Sequence, residues 1–255
     1  MNRLYLIIGG FIIAVLVAAL VVPWFIDWNA YRSTFEREAE KILGQPVRVA
    51  GIADASLLPM PSLTFTDVRV GDAGGAPMMT VARFQVHAEL IPLLMGSLKI
   101  VDMAVDRPAV SVDIANDGSI AWLSRSEASR ALDPDAVSLQ RVEIKNGSIA
   151  YLDRRTGRKV DIDNVNATLD ARSLLGPWKA EGGAVVGGMQ TMFRIATGRL
   201  TDAGTLRVKV EADPATVPVT FSAEGDLGLD GNGLAWSGGF SLARATVDDG
   251  SGKAA

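Results

Sequence analysis

The run Arg83-Phe84-Gln85-Val86-His87-Ala88-Glu89-Leu90 puts Phe84, Val86, Ala88 and Leu90 at every second position, with polar residues between them. Successive side chains of a strand point to opposite faces, so this alternation describes a strand with one apolar and one solvated face. The same period recurs outward from it. Leu63 and Phe65 alternate with Thr64 and Thr66, and Val110, Val112 and Ile114 alternate with Ser111 and Asp113. Val142 and Ile144, Val160 and Ile162, and Leu206, Val208 and Val210 repeat the pattern. Gly, Asn, Asp and Pro separate these runs, which marks half-buried antiparallel strands, about a dozen in all. Asn146-Gly147, between Ile144 and Ile149, is the strongest hairpin signal in the chain. The glycines of Gly225 to Gly233 read as turns, and the stretch Glu127 to Leu132 as one helical turn.

Ahead of the strands the period is helical. Tyr31, Phe35, Ala39, Ile42 and Leu43 recur at helical spacing behind Asn29 as N-cap, and Gly44 and Pro46 stop the helix. Further forward, Leu4 to Ile26 is an apolar run without a charge, closed by the collar Pro23-Trp24-Phe25-Ile26-Asp27-Trp28. At about 1.5 Å per residue it is long enough for a hydrocarbon core of about 30 Å. It is also longer than the apolar region of a secretory signal and has no A-x-A cleavage site behind it. Trp24, Trp28 and Tyr31 suit the headgroup level. The expected organisation is a transmembrane anchor at 1–28, an amphipathic helix at 29–46 and a β-domain at 47–255. The flanking charges, Arg3 before the span and Arg32, Arg37 and Lys41 after it, do not decide the orientation.

The chemistry-bearing residues are few. There is no cysteine and one histidine, His87, on the polar side of its strand, so neither a zinc site nor a Ser-His-Asp arrangement is expected. Asp161, Asp163 and Asn164 resemble the start of a calcium loop without its glycine and glutamate, and suit solvent-facing strand positions better. Asp133 and Asp135 flank Pro134 as loop residues. No catalysis, metal or cofactor is expected. A net charge of −4 argues against nucleic acid and against tight docking on anionic lipid.

Two blocks are weakly alike: Leu63 to Gly71 leads to Pro92-Leu-Leu-Met-Gly96, and Leu139 to Gly147 leads to Ser173-Leu-Leu-Gly-Pro177. Each reads as strand, turn, two strands and a Leu-Leu corner, the mark of a sheet elongated by repetition. Such a sheet has too few helices to cover its apolar face. Periodicity alone leaves open a self-packed sandwich, a closed barrel, and a curled groove that holds something apolar.

The order of features resembles the N-terminal part of the AsmA family of bacterial envelope proteins. The resemblance is carried by the anchor, Trp28-Asn-Ala-Tyr-Arg32, Leu43-Gly-Gln-Pro-Val-Arg-Val49, Ser56-Leu-Leu-Pro-Met-Pro61 and Val68-Arg-Val-Gly71. It continues through Pro92 to Gly96, Asp106-Arg-Pro108, Asp117 to Trp122 and Ile144 to Gly157. It implies an inner-membrane protein with a cytoplasmic N-terminus and a periplasmic bulk. It also implies a taco-like β-groove related to bridge-type lipid transfer proteins, serving phospholipid movement towards the outer membrane. On that reading acyl chains are partners, together with envelope assembly or transport proteins, and Leu63, Phe65, Phe84, Val86, Val110, Val112, Val142 and Ile144 line the groove. The alternative is a non-transporting scaffold that assists outer-membrane assembly through an open sheet edge. Family members are usually longer, and the polar tail Asp248 to Ala255 leaves open a fragment, a shortened paralogue or one half of an assembly.

Overall fold

A computed structural model of the chain describes residues 5, 8–11, 13–14, 17, 27–56, 60–71, 76–95, 98–118, 137–171, 173, 175–201, 203–230 and 233–244. Most of the apolar run Leu4–Ile26, with Trp24, lies outside these, as do Glu127 to Leu132, Asp133 and Asp135. No helix among the described residues is long and apolar enough to cross a membrane.

The amphipathic pattern behind the run folds as expected but starts later. Trp28–Tyr31 form one turn of 3₁₀-helix capped by the Asp27 carboxylate, which accepts from the Asn29 N–H at 3.0 Å. Helix α1 follows over Arg32–Leu43 and ends on Gly44 in the left-handed region, φ 67°. Asn29 is therefore not the cap of α1. Its side chain is used elsewhere, as described below.

Past Pro46 the chain is β-structure: β1 Val47–Val49, β2 Ala53–Ser56, β3 Ser62–Val70, β4 Met79–Ala88, β5 Leu98–Ile114 and β6 Val137–Asp153. Then come β7 Arg158–Ala171, β8 Trp178–Val186, β9 Met189–Thr197, β10 Leu206–Pro214, β11 Val219–Asp230 and β12 Gly233–Arg244. They form one 12-stranded sheet in the order β1-β3-β4-β5-β6-β7-β8-β9-β10-β11-β12, with β2 also on β3. The sheet is not closed: β1 and β2 share one edge and β12 is the other. A short helix, α2, Leu90–Leu94, makes the first Leu-Leu corner. Each of the two alike blocks holds two strands, not three, before its corner.

Three expectations need correction. The pairing is antiparallel throughout except between β5 and β6, which run parallel, Leu98 beside Val137 and Ile114 beside Asp153. A parallel pair requires a crossover, and the period of a strand carries no information about its neighbour's direction. Second, Asn146-Gly147 is no hairpin but the middle of β6, a strand of 17 residues. Third, Gly225 and Gly228 lie within β11, not in turns.

The Asn146 result has a common cause with other parts of the sheet. Asp67 on β3, Arg107 on β5, Asn146 on β6 and Asn164 on β7 all adopt φ between 50° and 52°. They fall at matching heights, since Asp106 pairs with Lys145 and Gly147 with Val165. A left-handed residue inside a strand interrupts its alternation. Accordingly the apolar positions of β5 are Met103 and Val105 before Arg107, but Pro108, Val110, Val112 and Ile114 after it. In β6 they are Val142 and Ile144, then Gly147, Ile149 and Tyr151. Both sets share one side of the sheet: a Cβ on Gly147 would lie 3.4 Å from Ile144 Cγ2, 3.2 Å from Pro108 Cγ and 3.3 Å from Val165 Cβ. The side-chain pattern is reset so that the apolar side stays on the same face.

Candidate functional site

Cross-strand register turns the separate alternations into one surface. Starting at β2, Ala53 and Ala55 lie opposite Phe65 and Leu63, which lie opposite Phe84 and Val86. These face Val105 and Met103, then Ile144 and Val142, then Ala167 and Leu169. The line continues through Gly182 and Ala180, Phe193 and Ile195, Ala212 and Val210, Phe221 and Ala223, and ends on Leu242 and Phe240 of β12. Every position is apolar. A row two residues wide thus crosses the sheet from β2 to β12, about 50 Å at roughly 4.8 Å per strand.

Of the eight residues expected to line a groove, Leu63, Phe65, Phe84, Val86, Val142 and Ile144 stand in this row. Val110 and Val112 stand beyond the left-handed line in a parallel row, where Val110 lies between Met79 and Ile149 and Val112 opposite Tyr151. The second half of the row was not foreseen. Ala180 and Gly182 are too small to register as an apolar stripe, and the Gly-Leu composition of β11 and β12 resembles loop. The alternation Leu206-Val208-Val210 was the available signal.

The opposite face is polar along the same strands. Gln85, then Ala104 as the one apolar member, Glu143, Thr168, Glu181, Arg194, Glu211 and Ser222 occupy it in register. Ion pairs join neighbours there: Lys209 to Glu211 at 2.8 Å, Arg207 to Glu224 at 2.8 Å and Arg194 to Glu211 at 3.5 Å. The Lys209 ammonium holds the Glu211 carboxyl below the usual glutamate range by donating to it, and the Arg207 guanidinium does the same to Glu224. Exposed pairs of this sort add little stability and keep the face wetted. His87 sits half-buried on this side, its Nδ1 2.7 Å from Asp102 Oδ2. Asp161, Asp163 and Asn164 are exposed strand positions, and no cluster of metal-ligating side chains occurs among the described residues.

Burial along the apolar face is uneven. Within the row Ala53, Val86 and Val142 are buried; beside it Val47, Val49, Val70 and Val81 are buried near the first edge, and Val165, Ala171 and Ala184 on β7 and β8. From β8 onward most of the row is half-buried, and at β12 Phe240 and Leu242 are 77% and 70% exposed. No second layer lies over that end among the described residues. A surface of this length that is apolar and in register, and open at its β12 end among the described residues, has the chemistry to hold extended hydrocarbon.

A model of the AsmA family matches residues 1–190. The chain belongs to the AsmA family. No curated protein matches it. The family match runs from the N-terminus through β8 to the first residues of β9, so the row's course through β10, β11 and β12 lies outside it. In this AsmA chain the strands beyond the match keep the same register and the same apolar side as those within it.

Trp28 and Tyr31, expected at the membrane interface, lie in the 3₁₀ turn with ring centroids 6.2 Å apart.

Proposed function

We propose that this protein is an anchored envelope protein that handles phospholipid, with its acyl chains lying along the apolar row and no catalytic chemistry of its own. The observation that carries the reading is the unbroken register of apolar residues from Ala53 to Phe240. A stable sheet face must be covered by something, and each square ångström of apolar surface taken from water contributes about 25 cal/mol. The left-handed residues support it. At each of them the strand places two successive residues on the polar side, Thr66 and Asp67 or Lys145 and Asn146. Bulges of this kind bend strands, and we take the bend to be towards the apolar face, which makes the row the inner wall of a taco-like groove. The span Leu4–Ile26 then anchors the chain in the inner membrane, with a cytoplasmic N-terminus and the sheet in the periplasm, and lipid moves along the row towards the outer membrane.

Photo-crosslinking from single positions tests this. A p-benzoylphenylalanine at Ile195, in the row, is expected to capture phospholipid in cells, and one at neighbouring Arg194, on the polar face, is not. Equal capture at both positions, or none at Ile195, overturns the reading.

A second reading rests on β12. Its free edge runs from Gly233 to Ala243 without a charge or a proline, the features that normally guard an edge. A scaffold that recruits an outer-membrane assembly partner by strand addition would use it. Proline substitutions at outward-facing N–H positions of β12 would then abolish function in cells while lipid capture at Ile195 persists.

A further inference from the structure

The apolar row starts under helix α1. The Phe35 ring of α1 rests on Phe65, centroids 5.3 Å apart and edge-on at 65°, and Phe65 stacks in turn on Phe84 at 6.4 Å. Phe35 therefore covers the first aromatic pair of the row. Side-chain hydrogen bonds from α1 and from the 3₁₀ turn before it reach the sheet edge. Glu36 Oε1 accepts from the Val49 N–H at 2.7 Å, and Asn29 Oδ1 accepts from the Ala53 N–H at 3.1 Å. Against these ties stand several weaknesses. None of the described residues of α1 is fully buried, and Tyr31 supplies no side-chain cap. A helix of 12 residues is marginal without packing. Arg32 is half-buried, and its Nη2 donates to Asn29 Oδ1 at 3.1 Å. A short helix with no fully buried residue among those described is one of the segments that open locally.

We propose that the Phe65–Phe84 strip is the loading site at which an acyl chain enters the row, and that Phe35 occupies it until lipid displaces the helix. The inference rests on the lipid-handling reading above. Phe35 is an apolar side chain lying where the first hydrocarbon segment would lie, on the helix that follows the N-terminal apolar run in sequence. Lipid taken from a membrane at that end meets Phe35 before it meets the rest of the row. Entry exchanges one apolar contact for another, so the exchange is close to balanced and its rate depends on how firmly Phe35 is seated.

The test uses the full chain in vesicles of phosphatidylethanolamine and phosphatidylglycerol carrying a fluorescent phosphatidylethanolamine, with capture read at a p-benzoylphenylalanine in place of Phe221, far along the row. Phe35→Ala is expected to raise the initial rate of lipid arrival about tenfold, equivalent to about 1.4 kcal/mol of lost covering contact. Phe35→Trp is expected to slow it. Lipid that reaches Phe221 at the same rate in wild type and both variants overturns the loading site and leaves the lipid-handling reading standing. Lipid that never reaches Phe221 overturns both. If Phe35→Ala lacks the native circular dichroism, Phe35→Leu and Glu36→Gln, which loosen the helix without removing it, are read the same way.

Discussion

The two edges of the sheet are built on opposite plans. At the first, β1 lies against α1 and β2 against the 3₁₀ turn, with the N–H groups of Val49 and Ala53 answered by Glu36 and Asn29. Val47, Val49, Ala53 and Val70 are all buried there, Val70 and Ala53 to 1% exposure. At the second, β12 pairs among the described residues only with β11, and Trp236, Phe240 and Leu242 stand exposed. Both edges carry the same apolar row. Apolar residues in a strand thus have two different roles in one molecule, fixed by what the chain supplies to cover them. Near the helix they hold the fold together. At β12 they contribute little to the fold and present a surface.

A matched pair of substitutions gives the largest contrast. Val70→Asp places a carboxylate in a closed site beside Val47 and Met79, and is expected to cost about 4 kcal/mol or more. Phe240→Asp, opposite Ala223 on an open edge, is expected to stay within about 0.5 kcal/mol. Urea unfolding read by circular dichroism measures both. A similar loss at the two sites would mean that the β12 end is covered in solution, and the contrast between edges would fall.

The helix ties test the same contrast on a smaller scale. Glu36→Ala leaves the Val49 N–H without its acceptor, and Asn29→Ala does so for Ala53, each at about 1 kcal/mol. Native-state hydrogen exchange should show the Val49 and Ala53 amides slow in wild type and fast in the respective variant, while the outward amides of β12 exchange quickly in both. Slow exchange at β12 in the unmodified chain would reveal a partner strand there.

How far the sequence could be read differs between these regions for a physical reason. Period-two alternation is local, so the strands were legible in residues such as Leu63-Phe65 and Phe84-Val86, but not which of their faces lines a groove. What joins them is not local. Asn146-Gly147 offers a left-handed conformation equally to a hairpin and to a mid-strand reset, and only its neighbours Arg107 and Asn164 decide which. The parallel step from β5 to β6 depends on pairing across residues 115–136, which no strand period encodes. Glycine concealed the far end. A Cβ on Gly182 would lie 2.7 Å from Ala167 Cα and closer still to the Asn166 carbonyl, so this residue is glycine because two strands touch there. In sequence the same glycine looks like a loop residue. The role of Asn29 was legible as a hydrogen-bonding cap, but its partner was not: it caps a strand edge instead of a helix.

The smallest expected effect concerns the solvated face of the open half. Glu211 and Glu224 have carboxyls held below the ordinary glutamate value by hydrogen bonds from Lys209 and Arg207. A carboxylate with a depressed folded pKa stabilises the fold above its unfolded value, about pH 4.3, and loses that contribution as pH falls through the folded value. Both residues are solvent-facing, so the loss is slight and screened by salt. Because the pairs join β9, β10 and β11, acidification from pH 6 to 3 should speed amide exchange in those strands before it reaches β3 and β4, whose apolar packing does not titrate. The Glu224→Gln chain should start with the faster exchange and show less of the pH dependence. If both chains respond alike, the ion pairs contribute nothing to holding the open half, and its order comes from backbone pairing and the apolar row alone.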